Sequence, residues 1–432
     1  MENSFPELNL LINNEQRLNY KNYDLSAMQG LLKLLDNPEK KIKTIHIAGT
    51  NGKGTVANLL NQIFIDSGYK TGLYTSPHLL AINERVTINN KKVSNPVLER
   101  YLYKITLLKK KLRVSPTFFD VLTVIAFKYF YDQQVDLAII ETGLGGELDS
   151  TNVISPLCSL ITKISLDHSH ILGKSLKSIT LAKSGIIKKN IPVITTNTSP
   201  QILKIISLQA VKKKSPLFIL GSNFKTKNLI TQKNRIRFDY KDFSKNQDIK
   251  NIFTNLQGEW QVSNMATAIF TTLSLREEFP KLRISNIRKS LRKIKISGRL
   301  EILSKTPLII FDLAHNEEAI KNNLAYLKKI YFNKELFLIF SIMKDKNFKK
   351  IIPDLIKSKI PIIFYELDGH RSLKIENIKN KNKFRSLENC PLTLKKTLSS
   401  LPQNNSVFVF LGSARLYKIA KDIAASRPSL KN

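Results

Sequence analysis

The 432-residue sequence predicts an α/β protein, with a P-loop-type, doubly wound N-terminal domain and a smaller α/β C-terminal domain. Three observations predict this fold. Short, largely apolar, β-branched runs alternate with longer amphipathic stretches, the pattern of a parallel sheet buried on both faces. A glycine-rich segment joins the first such run to the first helical stretch. A second strand–helix series begins near Pro307.

In the first half of the chain, Thr44–Ala48 is predicted as a strand and Thr55–Ser67 as a helix with apolar residues at helical spacing. A second helix is predicted at Phe118–Tyr131. Three further apolar runs are predicted as buried strands: Asp136–Glu141, Leu157–Ile164 and Ile191–Thr195. Ligands of such sheets bind beyond the carboxyl ends of the strands, so Glu141 is a candidate site residue.

The second half of the chain starts with a polar segment at residues 222–256. Strand-like alternation at Arg235–Tyr240 predicts a small β excursion there, and a helix is predicted at Val262–Leu275. Four apolar runs are predicted as strands of a second sheet: Leu308–Asp312, Leu336–Phe340, Ile360–Tyr365 and Ser406–Leu411.

The length of the chain predicts two or three domains, because a single core rarely grows this large. We place a boundary around Ser297–Lys305. This assigns residues 1–298 to a nucleotide-binding domain and residues 299–432 to a C-terminal α/β domain.

The net charge of +35 raises the question of nucleic-acid binding. The lysines are dispersed, however, and no zinc-finger, homeodomain or aromatic RNA-binding signature accompanies them. Shares of 42% hydrophobic and 24% charged residues are those of a globular protein in water. We therefore predict no specific nucleic-acid partner and no membrane insertion, but a basic surface that attracts anionic small molecules.

Two features of the sequence bear on its compartment. The start of the chain lacks the basic-then-apolar pattern of a secretory signal. Cys158 and Cys390 lie far apart and outside any metal-type spacing, which predicts two small buried thiols rather than a disulfide. We expect a reducing, cytoplasmic location.

The segment between the first predicted strand and helix consists of Gly49, Thr50, Asn51, Gly52, Lys53, Gly54 and Thr55. Its glycines let the backbone curl so that successive N–H groups point inward, and the helix N-terminus adds positive partial charge. Lys53 would neutralise charge on the β- and γ-phosphates, and Thr55 would contact phosphate or metal. A flexible surface turn is the alternative, but strand, glycines, lysine and helix together predict nucleotide binding.

This loop is shorter than the usual P-loop and resembles the signature of the folylpolyglutamate synthase and dihydrofolate synthase family, relatives of the Mur ligases. Matching blocks follow in the family's order from about residue 20 to about residue 415. They include Thr75-Ser76-Pro77-His78-Leu79, Glu141-Thr142-Gly143-Leu144-Gly145-Gly146, Lys183-Ser184-Gly185-Ile186, Gly298-Arg299-Leu300-Glu301 and Asp312-Leu313-Ala314-His315-Asn316. The resemblance implies a Mur-ligase-like fold and an ATP-dependent ligase.

The resemblance implies a metal site formed by Ser76, Glu141 and His168, with Mg²⁺ as the ion and ATP as co-substrate. Glu141 has support of its own, because a carboxylate at a buried strand end can reach the phosphate loop and Mg²⁺ favours oxygen ligands. A helix-capping or salt-bridged carboxylate is the alternative for Glu141. A structural imidazole is the alternative for His168.

Lys183 is carbamylated in the family, and the resemblance implies an N6-carboxylysine that supports a second Mg²⁺. The sequence itself shows no such modification, and a solvated lysine is the alternative. The candidate catalytic residues are Lys53, His168 and Lys183.

Four residues resemble the family's remaining ATP contacts: Asn264, Arg299, Asp312 and His315. A guanidinium between domains can brace a transferring phosphate only when the domains close. Asp312 ends an apolar predicted strand, where a ribose-binding carboxylate is expected. Arg299 can alternatively be one more cation in a basic chain. The sequence departs from the family pattern at Ala182, Trp260, Leu313 and Glu317.

For the pterin substrate the resemblance points to three segments, namely Asp24, Leu25, Ser26 and Ala27; Thr117, Phe118, Phe119 and Asp120; and Leu148, Asp149 and Ser150. From the residues alone, only Phe118 and Phe119 suggest ring stacking, and packing within a helix core explains them equally well. Ser413 resembles the family's closing turn, in the domain expected to receive glutamate.

The resulting hypothesis is a ligase that joins L-glutamate to dihydropteroate, to the glutamyl tail of reduced folates, or to both, through an acyl phosphate. Its partners would be ATP, L-glutamate and those acceptors, and the family implies a monomer. A Mur-type ligase acting on a peptidoglycan precursor is a second hypothesis, although about 45 residues before the phosphate loop are few for a substrate domain. A non-catalytic nucleotide or nucleic-acid binder is the third, and it leaves the segments around Glu141, His168 and Lys183 unexplained.

Overall fold

The computed structural model describes residues 24–233, 235–244, 246–369, 371–403 and 405–426. These residues form three β-sheets, of eight, three and six strands. The start of the chain, where the sequence shows no secretory pattern, lies outside the described residues. No helix within them has both the length and the apolar character needed to cross a membrane.

The eight-stranded sheet is formed by β1 (Thr44–Ala48), β2 (Thr71–Tyr74), β3 (Val86–Ile88), β4 (Lys91–Lys92), β5 (Leu137–Glu141), β6 (Cys158–Ile161), β7 (Val193–Thr195) and β8 (Leu217–Ile219). In space the order is β4-β3-β2-β5-β1-β6-β7-β8. The sheet is parallel from β2 to β8, and β3 and β4 pair antiparallel at one edge. It is the doubly wound sheet that the sequence predicts.

The helices of this half are α1 (Ser26–Leu34), α2 (Lys53–Asp66), α3 (Asn95–Lys109), α4 (Phe118–Asp132), α5 (Ser169–Leu172), α6 (Leu176–Ser184), α7 (Pro200–Lys212), α8 (Trp260–Ser274) and α9 (Ile284–Lys293). Neighbouring residues of β5 point to different cores. Ile139 packs with α2, α8 and α9, whereas Ile140 packs with α1, α3 and α4. Both faces of the sheet are therefore buried, which explains why its strands are almost uniformly apolar.

The predicted β excursion is confirmed as a three-stranded antiparallel sheet of β9 (Phe224–Gln232), β10 (Arg235–Asp242) and β11 (Gln247–Thr254). It packs against the first domain's core, where the ring of Phe224 stacks on Phe270 of α8 with centroids 4.5 Å apart. Alternate residues of β10 are buried, as the sequence pattern predicts.

The six-stranded sheet is formed by β12 (Glu301–Lys305), β13 (Leu308–Asp312), β14 (Glu335–Phe340), β15 (Ile362–Tyr365), β16 (Arg385–Leu387) and β17 (Ser406–Leu411). Its order is β12-β13-β17-β14-β15-β16, and only β12 pairs antiparallel. Its helices are α10 (Glu317–Ile330), α11 (Phe348–Lys357), α12 (Pro391–Ser399) and α13 (Leu416–Ala425). The division of the chain at residue 298 stays a prediction.

Several predicted strands are confirmed residue for residue: Thr44–Ala48, Leu308–Asp312 and Ser406–Leu411. The strand predicted at Leu157–Ile164 is shorter, because the carbonyl of Lys163 leaves the sheet and accepts amides of the phosphate loop. The sequence does not predict strands β2, β3, β4, β8, β12 and β16. Cys158 is buried as expected, but Cys390 is partly exposed before α12, and both thiols are free.

Candidate active site

A cavity of about 1530 Å³ lies between the two larger sheets, beyond the carboxyl ends of their strands. The first sheet contributes residues from segments 49–55, 141–150 and 163–172, and the second contributes residues from segments 312–319, 343–346 and 412–415. This is where ligands bind in open parallel sheets. The cavity therefore collects side chains that are hundreds of residues apart in the sequence.

The phosphate loop needs glycine at positions where the chain has no room for a side chain. Gly49 has a φ of 151° and Gly52 a φ of 94°, conformations that favour glycine. A Cβ on Gly49 would lie 1.9 Å from Oγ1 of Thr162, and a Cβ on Gly52 would lie 2.4 Å from Oδ1 of Asn264. The loop is therefore held tightly between β6 and α8.

The backbone amides of the loop divide into two sets. Those of Thr50 and Asn51 donate to the carbonyl of Lys163, at 2.8 and 3.1 Å. The expectation that successive loop amides point into the site is thus wrong for these two, because the loop adds a bridge to the chain beyond β6. Helix α2 begins at Lys53, and the amides of its first turn have no acceptor within the helix. Those amides remain available to an anion.

Two lysines converge on the carbonyl of Gly49. Nζ of Lys53 donates to it at 3.1 Å and Nζ of Lys183 at 2.8 Å. Lys183 is buried, and burial, reinforced by the charge of Lys53, lowers the pKa of its amine to about 7. A large share of Lys183 is therefore uncharged near neutral pH.

Glu141 ends β5 with its carboxylate buried beside the phosphate loop. Its Oε2 accepts from the amide of Ser76 at 3.3 Å, and its Oε1 lies 3.9 Å from Nζ of Lys53. Burial raises the pKa of Glu141, and the charge of Lys53 partly offsets this. These are long contacts for a buried anion, whose charge normally needs close partners. A group that binds a cation is expected to have this environment.

The residues present fit a magnesium ion. Among residues that the structure describes, no three His, Cys, Asp or Glu side chains are grouped to hold a metal by themselves. Mg²⁺ typically takes one or two carboxylates and completes its shell with substrate phosphates and water. Glu141 and the hydroxyl of Ser76 border the cavity beside the phosphate loop and supply that oxygen chemistry.

His168 lies on the wall of the cavity but is already engaged. It precedes α5 with a φ of 50°, and Nζ of Lys346 lies 2.9 Å from its Nε2. Burial, followed by the charge of Lys346, lowers the pKa of His168 to about 3, so the ring is neutral. Its Nε2 lone pair can reach a metal only if Lys346 moves away.

Three of the residues predicted to contact ATP surround the phosphate loop. A Cβ built on Gly54 would lie 3.7 Å from Nη2 of Arg299, which places this guanidinium close to the first turn of α2. Asn264 contacts Gly52 and donates to Gln261 at 2.8 Å. Asp312 ends β13 beside the cavity.

The carboxylate of Asp312 is largely used within the protein. It accepts from the amides of Leu300 and Ala314, at 2.7 and 2.8 Å, and from Nδ2 of Asn323 at 2.7 Å. Burial raises its pKa, opposed by the charge of Arg299. Asp312 therefore anchors the segment that carries Arg299, and its ribose-binding role stays a prediction.

The phosphate loop also contacts the second domain directly. Nδ2 of Asn316 donates to Oδ1 of Asn51 at 2.8 Å, and Nδ2 of Asn51 donates to Glu318 at 3.1 Å. Close by, Nε2 of His315 lies 3.3 Å from Asp167. The domains thus meet at the phosphate loop.

Comparison with known proteins matches this architecture. The family models of the Mur ligase middle domain and of the Mur ligase glutamate ligase domain match residues 47–272 and 298–414. The dihydrofolate synthase/folylpolyglutamate synthase of Bacillus subtilis (strain 168) is 31% identical over 400 residues, which cover 90% of this chain and 92% of that protein. The chain belongs to the dihydrofolate synthase/folylpolyglutamate synthase family of Mur ligases.

Other relatives agree. The folylpolyglutamate synthase of Lacticaseibacillus casei is 35% identical over 327 residues, covering 74% of this chain and 75% of that one. The solved complex of a folylpolyglutamate synthase with AMPPCP and folate superposes with a TM-score of 0.80 at 28% identity, covering 97% of this chain and 100% of the other.

In this member of the family, two of the three segments predicted to bind the pterin border the cavity. Thr117, Phe119, Leu148, Asp149 and Ser150 line it. Phe118 points instead into the core around α4, because successive residues at the start of a helix face different directions. Asp24–Ala27 lie at the start of α1 and do not line the cavity; the carboxylate of Asp24 accepts from the backbone amide and the hydroxyl of Ser26.

Asp120 has a structural role in this family member. With Thr117 it forms a reciprocal cap at the start of α4, at 2.8 and 3.0 Å, and its Oδ1 accepts from the hydroxyl of Ser150 at 2.6 Å. It is buried and does not line the cavity. Asp120 therefore supports the residues that do.

Five residues that line the cavity were not predicted from the sequence: Glu318, Lys346, Arg371 and Arg415 of the second domain, and Lys163, which lies 3.9 Å from Glu318. In a chain so rich in lysine, Lys346 looks like one more dispersed cation. One signal was present, since Lys346 and Arg415 follow the carboxyl ends of predicted strands, the usual location of ligand-binding groups.

Proposed function

We propose that this protein is an ATP-dependent ligase that forms an amide bond between L-glutamate and dihydropteroate, the glutamyl tail of a reduced folate, or both. The observation that carries the proposal is the meeting of Glu141, the first turn of α2 and Arg299 within a few ångströms, where two domains join. Family membership and the folate-bound relative supply the substrate class.

The proposed amide bond forms in two chemical steps. An oxygen of the acceptor's carboxylate attacks the γ-phosphorus of ATP, and ADP leaves as the acyl phosphate forms. The amine of glutamate then attacks the acyl carbon, loses a proton and expels phosphate. Negative charge concentrates on the phosphoryl oxygens in the first step, and an enzyme stabilises it with fixed cations and dipoles.

The protein's own groups suit that task. Lys53 and the free amides of α2 face the phosphates from the first domain, and Arg299 faces them from the second. Because Arg299 is anchored through Asp312 to β13, it keeps its position only with the second domain in place. This arrangement makes phosphoryl transfer depend on both domains.

Glu141 and Ser76 would hold Mg²⁺, with His168 as a further ligand once its Nε2 is released from Lys346. When bound, the ion would shield the charge of the β- and γ-phosphates and orient them. Asn264 and His315 are proposed to contact the nucleotide. Thr117, Phe119, Leu148, Asp149 and Ser150 are proposed to contact the pterin, and residues near Ser413 the incoming glutamate.

Lys183 is proposed to be carbamylated and to support a second Mg²⁺. A carbamate forms when a neutral amine attacks CO₂ and loses a proton, so a lysine with a pKa near 7 is well suited to it. The carbamate nitrogen keeps one N–H, which can still donate to Gly49. Intact mass spectrometry of the native protein, with Lys183→Ala as the reference, tests for the added carboxyl group.

We also propose a monomer located in the cytoplasm. Free thiols at Cys158 and Cys390 suit a reducing compartment. Light scattering after gel filtration tests the monomer, because a dimer would scatter with twice the molecular mass.

The decisive experiment is mass analysis of products formed from ATP, L-glutamate and either dihydropteroate or tetrahydrofolate. Addition of one glutamyl unit to dihydropteroate defines a dihydrofolate synthase, and addition to tetrahydrofolate a folylpolyglutamate synthase. ADP release that requires neither acceptor nor glutamate would exclude the proposal. Parallel reactions with a peptidoglycan precursor test the Mur-type alternative.

A further inference from the structure

Asp167 joins the two domains through a buried carboxylate. Only 10% of its side chain is exposed. From its own domain it accepts the backbone amide of His168 at 2.9 Å. From the second domain it faces Nζ of Lys346 at 3.0 Å and Nε2 of His315 at 3.3 Å.

These contacts stabilise the buried carboxylate of Asp167. Its Oδ1 lies 3.0 Å from Nζ of Lys346 and its Oδ2 lies 3.3 Å from Nε2 of His315, so each oxygen has a partner from the second domain. A buried anion of this kind depends on its close side-chain partners, and the two nearest side-chain groups, those of Lys346 and His315, belong to the second domain. Asp167 is therefore poorly compensated whenever the second domain moves away.

Lys346 makes a second contact in the same place. Its side chain is 11% exposed, and Nζ lies 2.9 Å from Nε2 of His168 while also binding Asp167. An ammonium group has three N–H donors, so it can serve both acceptors at once. Among the described residues, Lys346 is the one that hydrogen-bonds the imidazole of His168.

The backbone around His168 does not fix the ring by itself. His168 precedes α5, which has four residues and none of them buried. A four-residue turn that is only partly buried provides limited packing to select a side-chain rotamer. The orientation of the ring toward the cavity therefore depends on the contact that Lys346 brings.

We propose that Lys346 is a positioning residue, which with Asp167 orients the imidazole of His168 toward the cavity when the second domain docks. The role proposed for Lys346 is exerted through His168, although Lys346 also lines the cavity. When β14 and the loop after it dock, His168 is turned toward the cavity, where the proposed function uses it as a metal ligand. Because Lys346 occupies Nε2, it orients the ring before a metal binds and has to release Nε2 when His168 becomes a ligand.

The test compares Lys346→Met, which keeps most of the side-chain length and removes the charge, with Lys346→Arg, which keeps the positive charge. Lys344→Met is the matched control, because Lys344 is two residues away and exposed. Hydrogen exchange read by mass spectrometry on peptides spanning residues 162–172 needs no substrate. We expect roughly tenfold faster exchange there in Lys346→Met, because losing one partner exposes a buried charge, and wild-type exchange in Lys344→Met.

The kinetic consequence rests on the proposed ligase function. Lys346→Met should lower kcat roughly tenfold or more while the Kd for MgADP stays within about threefold, since the phosphate loop is unchanged. Compared with Lys346→Met, Lys346→Arg should have a higher kcat and slower hydrogen exchange in residues 162–172. A purely structural role would weaken nucleotide binding and kcat together and would not be rescued by arginine.

Asp167→Asn serves as a second variant and should reproduce the exchange increase with Lys346 intact. Wild-type exchange in Lys346→Met, or an MgADP affinity that falls in step with kcat, overturns the proposal. If the wild-type protein lacks ligase activity and the exchange response is still present, the proposed function fails and the docking role of Lys346 stands.

Discussion

Nζ of Lys183 donates a hydrogen bond to the carbonyl oxygen of Gly49 at 2.8 Å, although 134 residues separate the two in sequence. A lysine of α6 thus reaches the first residue of the phosphate loop. Burial of the amine at this position, together with the charge of Lys53, lowers its pKa and so prepares Lys183 for chemistry near neutral pH.

This contact predicts how stability varies with pH. The prediction applies to protein in which Lys183 carries no carboxyl group. Below pH 7 its amine is protonated in both the folded and the unfolded state, and between pH 7 and the usual value of 10.5 only the unfolded chain keeps the proton. The free energy of unfolding should therefore rise with pH in that window, by about 1 kcal/mol per unit.

Denaturant titrations at pH 7, 8 and 9 measure this rise against Lys183→Met, in which the group cannot titrate. The difference in the free energy of unfolding between the wild type and Lys183→Met separates the contribution of Lys183 from those of other titrating residues. Parallel pH profiles for both proteins would show that the amine keeps an ordinary pKa when folded.

Replacement of Glu141 by glutamine should remove activity without removing the fold. The carboxylate is buried with a raised pKa, so a neutral amide of the same size should leave stability unchanged or higher. Turnover should fall about 10²-fold or more, because one anionic oxygen beside the phosphates is lost. Steady-state ADP release and thermal unfolding measure the two effects.

Glu99→Gln is the matched control, since Glu99 is exposed on α3 and its variant should behave as wild type. Near-normal turnover in Glu141→Gln would exclude Glu141 as a metal ligand.

Gly52→Ala should abolish tight nucleotide binding. Alanine at a φ of 94° is strained, and its Cβ would lie 2.4 Å from Oδ1 of Asn264. The strain should lower the free energy of unfolding by about 1–2 kcal/mol, and displacement of Asn264 should weaken MgADP binding by more than tenfold, on the order of the loss of one well-placed polar contact.

Gly68→Ala separates these two effects. Gly68 has a φ of 81° but nothing within 4 Å of an added Cβ. It should show the same loss of stability with unchanged nucleotide binding in calorimetry. If Gly52→Ala and Gly68→Ala bound MgADP equally tightly, the contact between a Cβ at position 52 and Asn264 would not be what weakens binding.

Asp120→Ala should mainly affect stability and the acceptor site. It removes the bond from the amide of Thr117 to the carboxylate of Asp120, which is one half of the cap of α4, and it removes the acceptor that Asp120 offers to the hydroxyl of Ser150. The expected cost is about 2 kcal/mol. We expect a raised KM for the pterin acceptor, because Ser150 lines the cavity, and an unchanged KM for ATP. Asp422→Ala, an exposed position on α13, should change stability by less than about 0.5 kcal/mol.

Much of the fold could be predicted because its signals are local. The alternation of apolar runs and amphipathic stretches reflects burial of each strand on two faces, as Ile139 and Ile140 show. The glycines of the phosphate loop are needed for backbone conformation and close approach, and both needs appear in the sequence as residue types. Short edge strands such as Lys91–Lys92 carry no such signal, because one side of them faces water.

The sequence alone determined the alternation of the central strands and their helices, the phosphate loop and the carboxylate at the end of β5, because each depends on neighbouring residues. Only the tertiary structure decided that the amides of Thr50 and Asn51 bind Lys163, that Phe118 lies in the core while Phe119 faces the cavity, and that Lys346 holds His168. These outcomes arise where two separately folded surfaces meet. Such contacts depend on the packing of whole domains, which no short stretch of sequence encodes.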